Sequence, residues 1–352
     1  MPAEPESLLA IAGRVDERLE RFLADERNRW VGVDRALAQP LDALAALLQS
    51  GGKRLRPAFC HWGYVGAGGD PEDARTSDVG AAFELLHAFA LVHDDVMDGS
   101  ATRRGERTTH LVFADEHSSG DWIGEGRRFG EGVAILVGDL AFVYADMLVG
   151  ELAPPAWGVW NELRVELNVG QYLDLVGTAR AERHRPSTER IARYKSGRYT
   201  VERPLHLGAL IAAPDRAGEL LGPLSAYGLP LGDAFQRRDD VLGVFGDPSV
   251  TGKPVGDDLR EGKPTTLLAI ATARASGSEV KVLERVGDED LTSEDIADLQ
   301  AVLRSTGALD ELEASIAALA DEAIAAAHRL PLEAVAREAL VELVHYVAWR
   351  ER

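Results

Sequence analysis

Apolar residues recur at helical spacing along almost the whole chain, and strict alternation is nearly absent. Leu8, Leu9, Ile11, Val15, Leu19, Phe22 and Leu23 repeat at intervals of three and four through residues 6–30, with charges between them. A short helix follows at 41–50, and G-G-K-R-L-R-P (51–57) interrupts the pattern. It resumes over 57–67 and breaks again at G-A-G-G-D-P. From Asp78 to Asp98 the pattern predicts a long, strongly apolar helix suited to a central position. Residues 114–131 are Gly-rich, polar and unpatterned and predict a long loop, a kind of segment that is usually functional or mobile. Periodicity returns at 132–150 and 156–177, and further helices fit 187–212, 216–242, 264–276, 293–305, 308–329 and 331–350, the last two split by Pro331. The expectation is an all-α protein of roughly a dozen helices. No Ser-, Pro- or Gly-rich linker and no fixed-period repeat divides it, so one domain spanning 1–352 is expected.

Composition adds little to the fold and more to the partners. The 352 residues are 45% hydrophobic, which predicts a soluble globular chain with ample core. A net charge of −20 argues against nucleic acid and anionic membrane, both of which reward a basic surface. Cys60 is the single cysteine, so no intrachain disulfide forms, and its apolar setting (A-F-C-H-W) predicts a buried structural thiol. The acidic N-terminus is unlike a secretory signal, and no uninterrupted apolar run reaches the length of a bilayer span. A cytoplasmic protein is the default expectation.

Against this apolar background the stretch from His87 to Gly105 stands out. Asp94 and Asp98 are four apart, so a helix puts them on one face with Asp95 beside them, and Arg103 and Arg104 follow. Carboxylates so close destabilise a helix unless a cation sits between them. Mg²⁺ is commonly held by one or two carboxylates plus substrate phosphates. A phosphate site bridged by Mg²⁺ therefore fits the stretch; so, taken alone, does a solvated acidic helix end.

Three further clusters bear on the choice. Gly51-Gly52-Lys53-Arg54-Leu55-Arg56-Pro57 concentrates cations beside glycines that let a backbone approach an anion. Lys195-Ser196 is uninformative alone. The stretch from Phe235 to Pro264 carries a second carboxylate pair, Asp239 and Asp240, then Asp247, Lys253, Asp257, Asp258 and Lys263. Two acidic helix ends, each with nearby cations, are a far rarer coincidence than one. Facing each other across a cavity, they would hold several Mg²⁺ ions around a diphosphate leaving group.

The order and spacing of G-K-R-L-R-P (52–57), D-D-V-M-D with R-R-G (94–105), G-Q-Y-L-D-L (170–175), K-S (195–196), F-Q-R-R-D-D (235–240) and G-K-P-V-G-D-D…G-K (to Lys263) resemble the trans-isoprenyl diphosphate synthase (polyprenyl synthetase) family over nearly the whole chain, and most closely its short-chain geranylgeranyl and farnesyl diphosphate synthases. The resemblance implies an all-α bundle of ten or more helices around a central cavity, usually a homodimer. It also implies Mg²⁺-dependent head-to-tail (1'-4) condensation of isopentenyl diphosphate with an allylic diphosphate to an all-trans product. Carried over by position, Asp94, Asp98 and Asp239 are Mg²⁺ ligands, with Asp95 and Asp240 in support, around three ions per active site. Arg103, Lys195, Lys253 and Lys263 hold the allylic diphosphate, with Gln236 and Ser196 nearby. Lys53, Arg56, His87 and Arg104 hold the diphosphate of isopentenyl diphosphate. One position departs from the pattern: Gly243 stands where the second acidic motif usually ends in Asp, and Asp247 lies about 12 Å too far along a straight helix to replace it.

In the family, a single aromatic five residues before the first motif often goes with a C20 product. Phe89 with Ala90 matches that pattern, and Phe83, eleven residues before Asp94, returns to the face of Asp94 about 16 Å down the helix from it. Geranylgeranyl diphosphate is the expected product and farnesyl diphosphate the alternative. A terpene cyclase of the same fold would not need the 51–57 cluster or His87. A non-catalytic subunit would tend to lose motif carboxylates, and only Gly243 points that way.

Overall fold

The structure is a computed structural model that describes residues 5–247, 255–288 and 290–350. It is almost entirely helical, and the chain falls into two compact units. One comprises Glu6–His61 and Asp70–Leu152; the other is built on Trp62–Gly69 and the chain from Ala153 onward.

The N-terminal unit holds α1 (Glu6–Val31), α2 (Ala38–Gln49), the start of α3 (Leu55–Gly66), α4 (Ala74–Asp98), α5 (Thr109–Ser119) and α6 (Gly126–Val149). α4 packs against α1, α2 and α6, which explains why its sequence is apolar nearly all round. Val15, Leu44, Phe59, Phe83, Leu85 and Leu86 have no exposed surface. Asp73 caps α4 by accepting from the Arg75 N–H, and Gly99 ends it in the left-handed conformation, its N–H donating to the Asp95 carbonyl. Cys60 is a buried free thiol, as its sequence setting predicts.

The expected loop at 114–131 is largely helical: α5 runs to Ser119 and α6 starts at Gly126. The inward face of α5 is His110, Phe113 and His117, so histidines counted as polar hid an amphipathic stripe. The glycines there serve packing. A Cβ at Gly130 would lie 2.0 Å from the His110 carbonyl oxygen, so only glycine lets α6 lie against α5.

By length and composition α6 also meets the requirement for crossing a bilayer, with close to half of its apolar window buried. Asp139 and Asp146 interrupt the segment, which is why no continuous apolar run is visible there.

In the C-terminal unit, α7 (Pro154–Ala179), α8 (Arg185–Ala192), α9 (Arg203–Ala212) and α10 (Ala217–Phe245) precede the helices Asp257–Arg260, Thr266–Arg274, Ser278–Leu283, Ser293–Ser305, Ala308–Ala327 and Ala334–Ala348. α10 is central, packed on Ala308–Ala327 and Ala334–Ala348. The helix expected at 187–212 is one path with a change of pitch, because Arg193–Glu202 is π-helical. Pro204, just inside α9, has no N–H to give the preceding turn, which favours the wider register upstream. The segment is gripped on both sides. A Cβ at Gly170 of α7 would lie 2.3 Å from the Lys195 nitrogen, and one at Gly232 of α10 would lie 2.6 Å from the Gly197 carbonyl oxygen.

Candidate active site

The first acidic motif closes α4. Asp95 is buried and accepts from Arg103 Nε at 2.9 Å, while Arg103 Nη2 lies 3.5 Å from Asp94 Oδ2. Arg103 is brought back to the helix by a two-residue antiparallel hairpin, Thr102–Arg103 against Glu106–Arg107. Its turn has positive φ at both Arg104 (54°) and Gly105 (81°), the backbone that tight hairpins require. Asp95 therefore fixes Arg103, and Asp94 and Asp98 share a more open face one turn apart.

Two turns down α4, the basic cluster gathers around His87. Burial, followed by the charges of Arg56, Arg104, Arg103 and Arg54, holds the imidazole well below its ordinary pKa. His87 is thus neutral at pH 7 and acts as a hydrogen-bonding group. Arg104 reaches the end of α2, donating to the Gly51 carbonyl and, at 3.3 Å, to Ser50 Oγ. Arg54, which sequence spacing does not separate from its neighbours, turns inward. It donates to Asp16 at 2.8 Å, to Glu84 at 2.5 Å and to the Leu48 carbonyl at 2.8 Å. Lys53 and Arg56 are partly buried on either side of it. Of the residues suggested as chain-length determinants, Phe83 has no exposed surface, whereas Phe89 and Ala90 keep some. Phe89 is braced edge-on by Phe142 at 4.9 Å and His93 at 4.7 Å between ring centroids.

The C-terminal unit holds the second set. Lys195 Nζ lies 2.6 Å from the buried carboxylate of Asp174, on α7, with Ser196 beside it in the π-helical segment. Lys263 Nζ lies 2.6 Å from Glu261 and 3.9 Å from Asp258. Asp239 is partly exposed on α10 and pairs with Arg350, a buried guanidinium that also donates to the Phe235 and Val347 carbonyls at 3.1 and 2.7 Å. Asp240 faces inward, accepting from Gln236 Nε2 at 2.9 Å and the Thr266 N–H at 3.2 Å. Burial, then the neighbouring Asp258 and Asp239, push its carboxyl up to about 7, against the Gln236 and Thr266 bonds. Asp247 lies beyond the end of α10, and Lys253 lies outside the described residues. Sequence spacing did not single out Asp174, Glu261, Arg350, Asp16 or Glu84. Of these, Asp174 sat in the quoted G-Q-Y-L-D-L and Glu261 in the stretch from Phe235 to Pro264, neither with a role assigned.

Both acidic sets offer hard oxygen donors. Among the described residues, no three His, Cys, Asp or Glu side chains converge closely enough to hold a metal ion by themselves. That donor set fits Mg²⁺, which completes its shell with water and substrate phosphate.

A sequence profile described as polyprenyl synthetase matches residues 37–304, which include every metal- and diphosphate-binding candidate read from the sequence, though not Asp16 or Arg350. The chain belongs to this family. It is a prenyltransferase of the chain-elongating kind. Polyprenyl synthetases similar to it include geranylfarnesyl diphosphate synthase of Aeropyrum pernix, 32% identical over 86% of this chain and 92% of that protein. Geranylgeranyl diphosphate synthase of Mycobacterium tuberculosis is 34% identical over 83% of this chain and 79% of that one. A crystal structure of geranylgeranyl pyrophosphate synthase from Corynebacterium glutamicum, complexed with isoprenyl diphosphate and magnesium, superposes with a TM-score of 0.88 at 34% identity, covering 96% of this chain and 97% of that one.

The buried histidines give the protein a pH signature. Burial, followed by a nearby arginine, lowers His61 to about 4 and His206 to about 3, and His87 is likewise depressed. Below the unfolded value of about 6.5, the unfolded chain binds protons that the folded chain does not, so stability falls as pH falls. The denaturation midpoint is expected to be lower at pH 5 than at pH 7.5, with unfolding at pH 5 taking up about one proton per histidine of this set and giving back the one that buried Asp240 holds. A midpoint independent of pH over that range would contradict the buried, neutral assignment.

Proposed function

We propose that the protein condenses isopentenyl diphosphate with allylic diphosphates, with geranylgeranyl diphosphate as its main product. One observation carries the reading: α4 presents two anion-binding regions, an acidic end at Asp94 and a basic cluster about 10 Å away around His87. An enzyme acting on one diphosphate needs only the first of these.

Asp94 and Asp98 on one helix and Asp239 on another hold Mg²⁺, three ions per site. When bound, Mg²⁺ neutralises the charge that develops on the leaving diphosphate oxygens. Arg103, Lys195, Lys263 and Lys253 bind the allylic diphosphate, with Ser196 and Gln236 nearby. Asp95, Asp174 and Glu261 aim the first three of those cations. Lys53, Arg56, Arg104 and the neutral His87 bind the diphosphate of isopentenyl diphosphate. The allylic C–O bond breaks with its electron pair leaving on the diphosphate. The double bond of isopentenyl diphosphate then attacks the allylic cation, and a proton passes from the adduct to the departed diphosphate. Product formation only when both diphosphates and Mg²⁺ are present supports this reading; a hydrocarbon released from the allylic diphosphate alone would mark a cyclase instead.

The partly exposed, braced ring of Phe89 is the chain-length limiter. Phe89→Ala is expected to shift the main product at least one isoprene unit longer, and an unchanged product by chromatography would remove Phe89 from that role.

The working form is a homodimer. On α6, Leu136, Val143 and Met147 are 62%, 54% and 49% exposed and follow one helical stripe, an apolar surface that a monomer would leave in water. Leu136→Glu combined with Val143→Glu is expected to halve the mass seen by light scattering, and an unchanged mass would place the interface elsewhere. The single cysteine, buried and reduced, suits a cytoplasmic protein.

A further inference from the structure

The basic turn between α2 and α3 contains a strained residue. Arg54 has φ 47°, in the left-handed region that favours glycine, although glycine stands nearby at 51 and 52. A residue with a side chain persists in that conformation only when its surroundings over-determine it. Arg54 immediately precedes α3, and its carbonyl accepts the Ala58 N–H at 3.1 Å. Its backbone therefore sets the direction in which the chain leaves Lys53 and enters the first helical turn, where Arg56 stands.

Three helices fix the Arg54 guanidinium, and they do so unequally. Glu84 of α4 accepts at 2.5 Å from inside the core, its side chain 3% exposed, and the Leu48 carbonyl of α2 accepts at 2.8 Å. Asp16 of α1 accepts from Nε at 2.8 Å with its side chain 46% exposed, so it reaches Arg54 from the rim. Packing brings α1 to that place. Val15, which has no exposed surface, faces Gly80 of α4, where an added Cβ would lie 2.6 Å from Val15 Cγ2 and 3.3 Å from Pro57 Cβ. The first helix, α4 and the end of the basic turn thus meet at one point. Arg18, two residues after Asp16, donates to Asp78 of α4 at 2.5 Å and fixes the register of α1 on α4. Arg104 lies with Arg54 beside Gly52, so the clamp adjoins the cluster around His87.

We propose that Asp16 is a positioning residue for isopentenyl diphosphate: through Arg54 it holds the turn that presents Lys53 and Arg56. The first helix, which lies ahead of the stretch matched by the family profile, thereby takes part in binding one of the two substrates. This rests on the reading of the 51–57 turn as part of the isopentenyl diphosphate site. A half-exposed ion pair contributes little to global stability, so losing Asp16 is felt in the turn and not in the fold.

The test separates the two substrates. Asp16→Asn, which keeps the shape and removes the charge, is expected to raise the KM for isopentenyl diphosphate about 5-fold. The KM for the allylic diphosphate is expected to stay within about 2-fold, and the thermal midpoint within about 2 °C. Because KM equals a dissociation constant only when chemistry is slow, isopentenyl diphosphate is also titrated calorimetrically into the full chain with EDTA present, and its dissociation constant is expected to rise by a similar factor. Asp16→Glu, which restores the charge, is expected to bring both quantities within about 2-fold of the unaltered protein. Four results would overturn the inference: loss of folding by Asp16→Asn in circular dichroism, unchanged binding of isopentenyl diphosphate, an equal rise in KM for both substrates, or a glutamate variant no better than the asparagine one. Each of them, in a protein whose unaltered form consumes isopentenyl diphosphate, leaves the proposed function standing. Failure of the unaltered protein to consume isopentenyl diphosphate would overturn the function itself.

Discussion

Asp94→Ala is expected to lower kcat by about 10³-fold while leaving the thermal midpoint nearly unchanged, a loss on the scale of removing one group that stabilises transition-state charge. The two effects separate because of where the motif's carboxylates point. Asp95 is buried and takes the closer bonds of Arg103, so it holds the hairpin to α4, whereas Asp94 meets Arg103 only at 3.5 Å. Removing Asp94 deletes a carboxylate proposed to hold Mg²⁺ from a partly exposed helix end. Asp95→Ala, by contrast, is expected to lower stability as well as rate, because it releases Arg103 from the end of α4. Equal loss of midpoint in the two variants would show that Asp94 is structural.

Arg54→Met is expected to destabilise the protein by about 3 kcal/mol, within the range measured when one partner of a buried ion pair is removed. Arg54 is 6% exposed and Glu84 3%, so the variant strands a carboxylate in the core of the N-terminal unit. It also unties three elements from one another, since the same guanidinium bonds Asp16 of α1, the Leu48 carbonyl of α2 and Glu84 of α4. A second change at the partner tests the cause: Arg54→Met with Glu84→Leu replaces both charges by apolar groups and is expected to recover much of the loss. Urea denaturation of the single and double variants separates the outcomes. A double variant no more stable than the single one would mean that the cost lies in the Leu48 and Asp16 bonds.

These two residues show what the sequence carries and what it hides. α4 is legible because its apolar period runs uninterrupted into Asp94, and the recurrence of an acidic end on α10 made a metal site more probable than a solvated tip. The 51–57 turn was legible only as a concentration of cations. Which of Lys53, Arg54 and Arg56 turns inward depends on Asp16 and Glu84, residues 38 and 30 positions away along the chain. The π-helical segment was invisible for a related reason: its change of pitch arises from Pro204 and from glycine contacts with α7 and α10, none of which alters the hydrophobic period. The same holds for α5, whose inward histidines read as polar, and for the two-residue strands at 102–107, too short to show alternation. Gly243 leaves the second acidic motif one carboxylate short of the usual pattern, and the side chain that lies beside it, Asp258, comes from another segment and is not visible in letters counted along one helix.

Turnover of labelled isopentenyl diphosphate by the purified chain alone, with Mg²⁺ and each of dimethylallyl, geranyl and farnesyl diphosphate, tests the central claim most directly. The account predicts label in all-trans prenyl diphosphates from every primer that is accepted, with geranylgeranyl diphosphate as the longest major product. No labelled product from any of the three primers would contradict it.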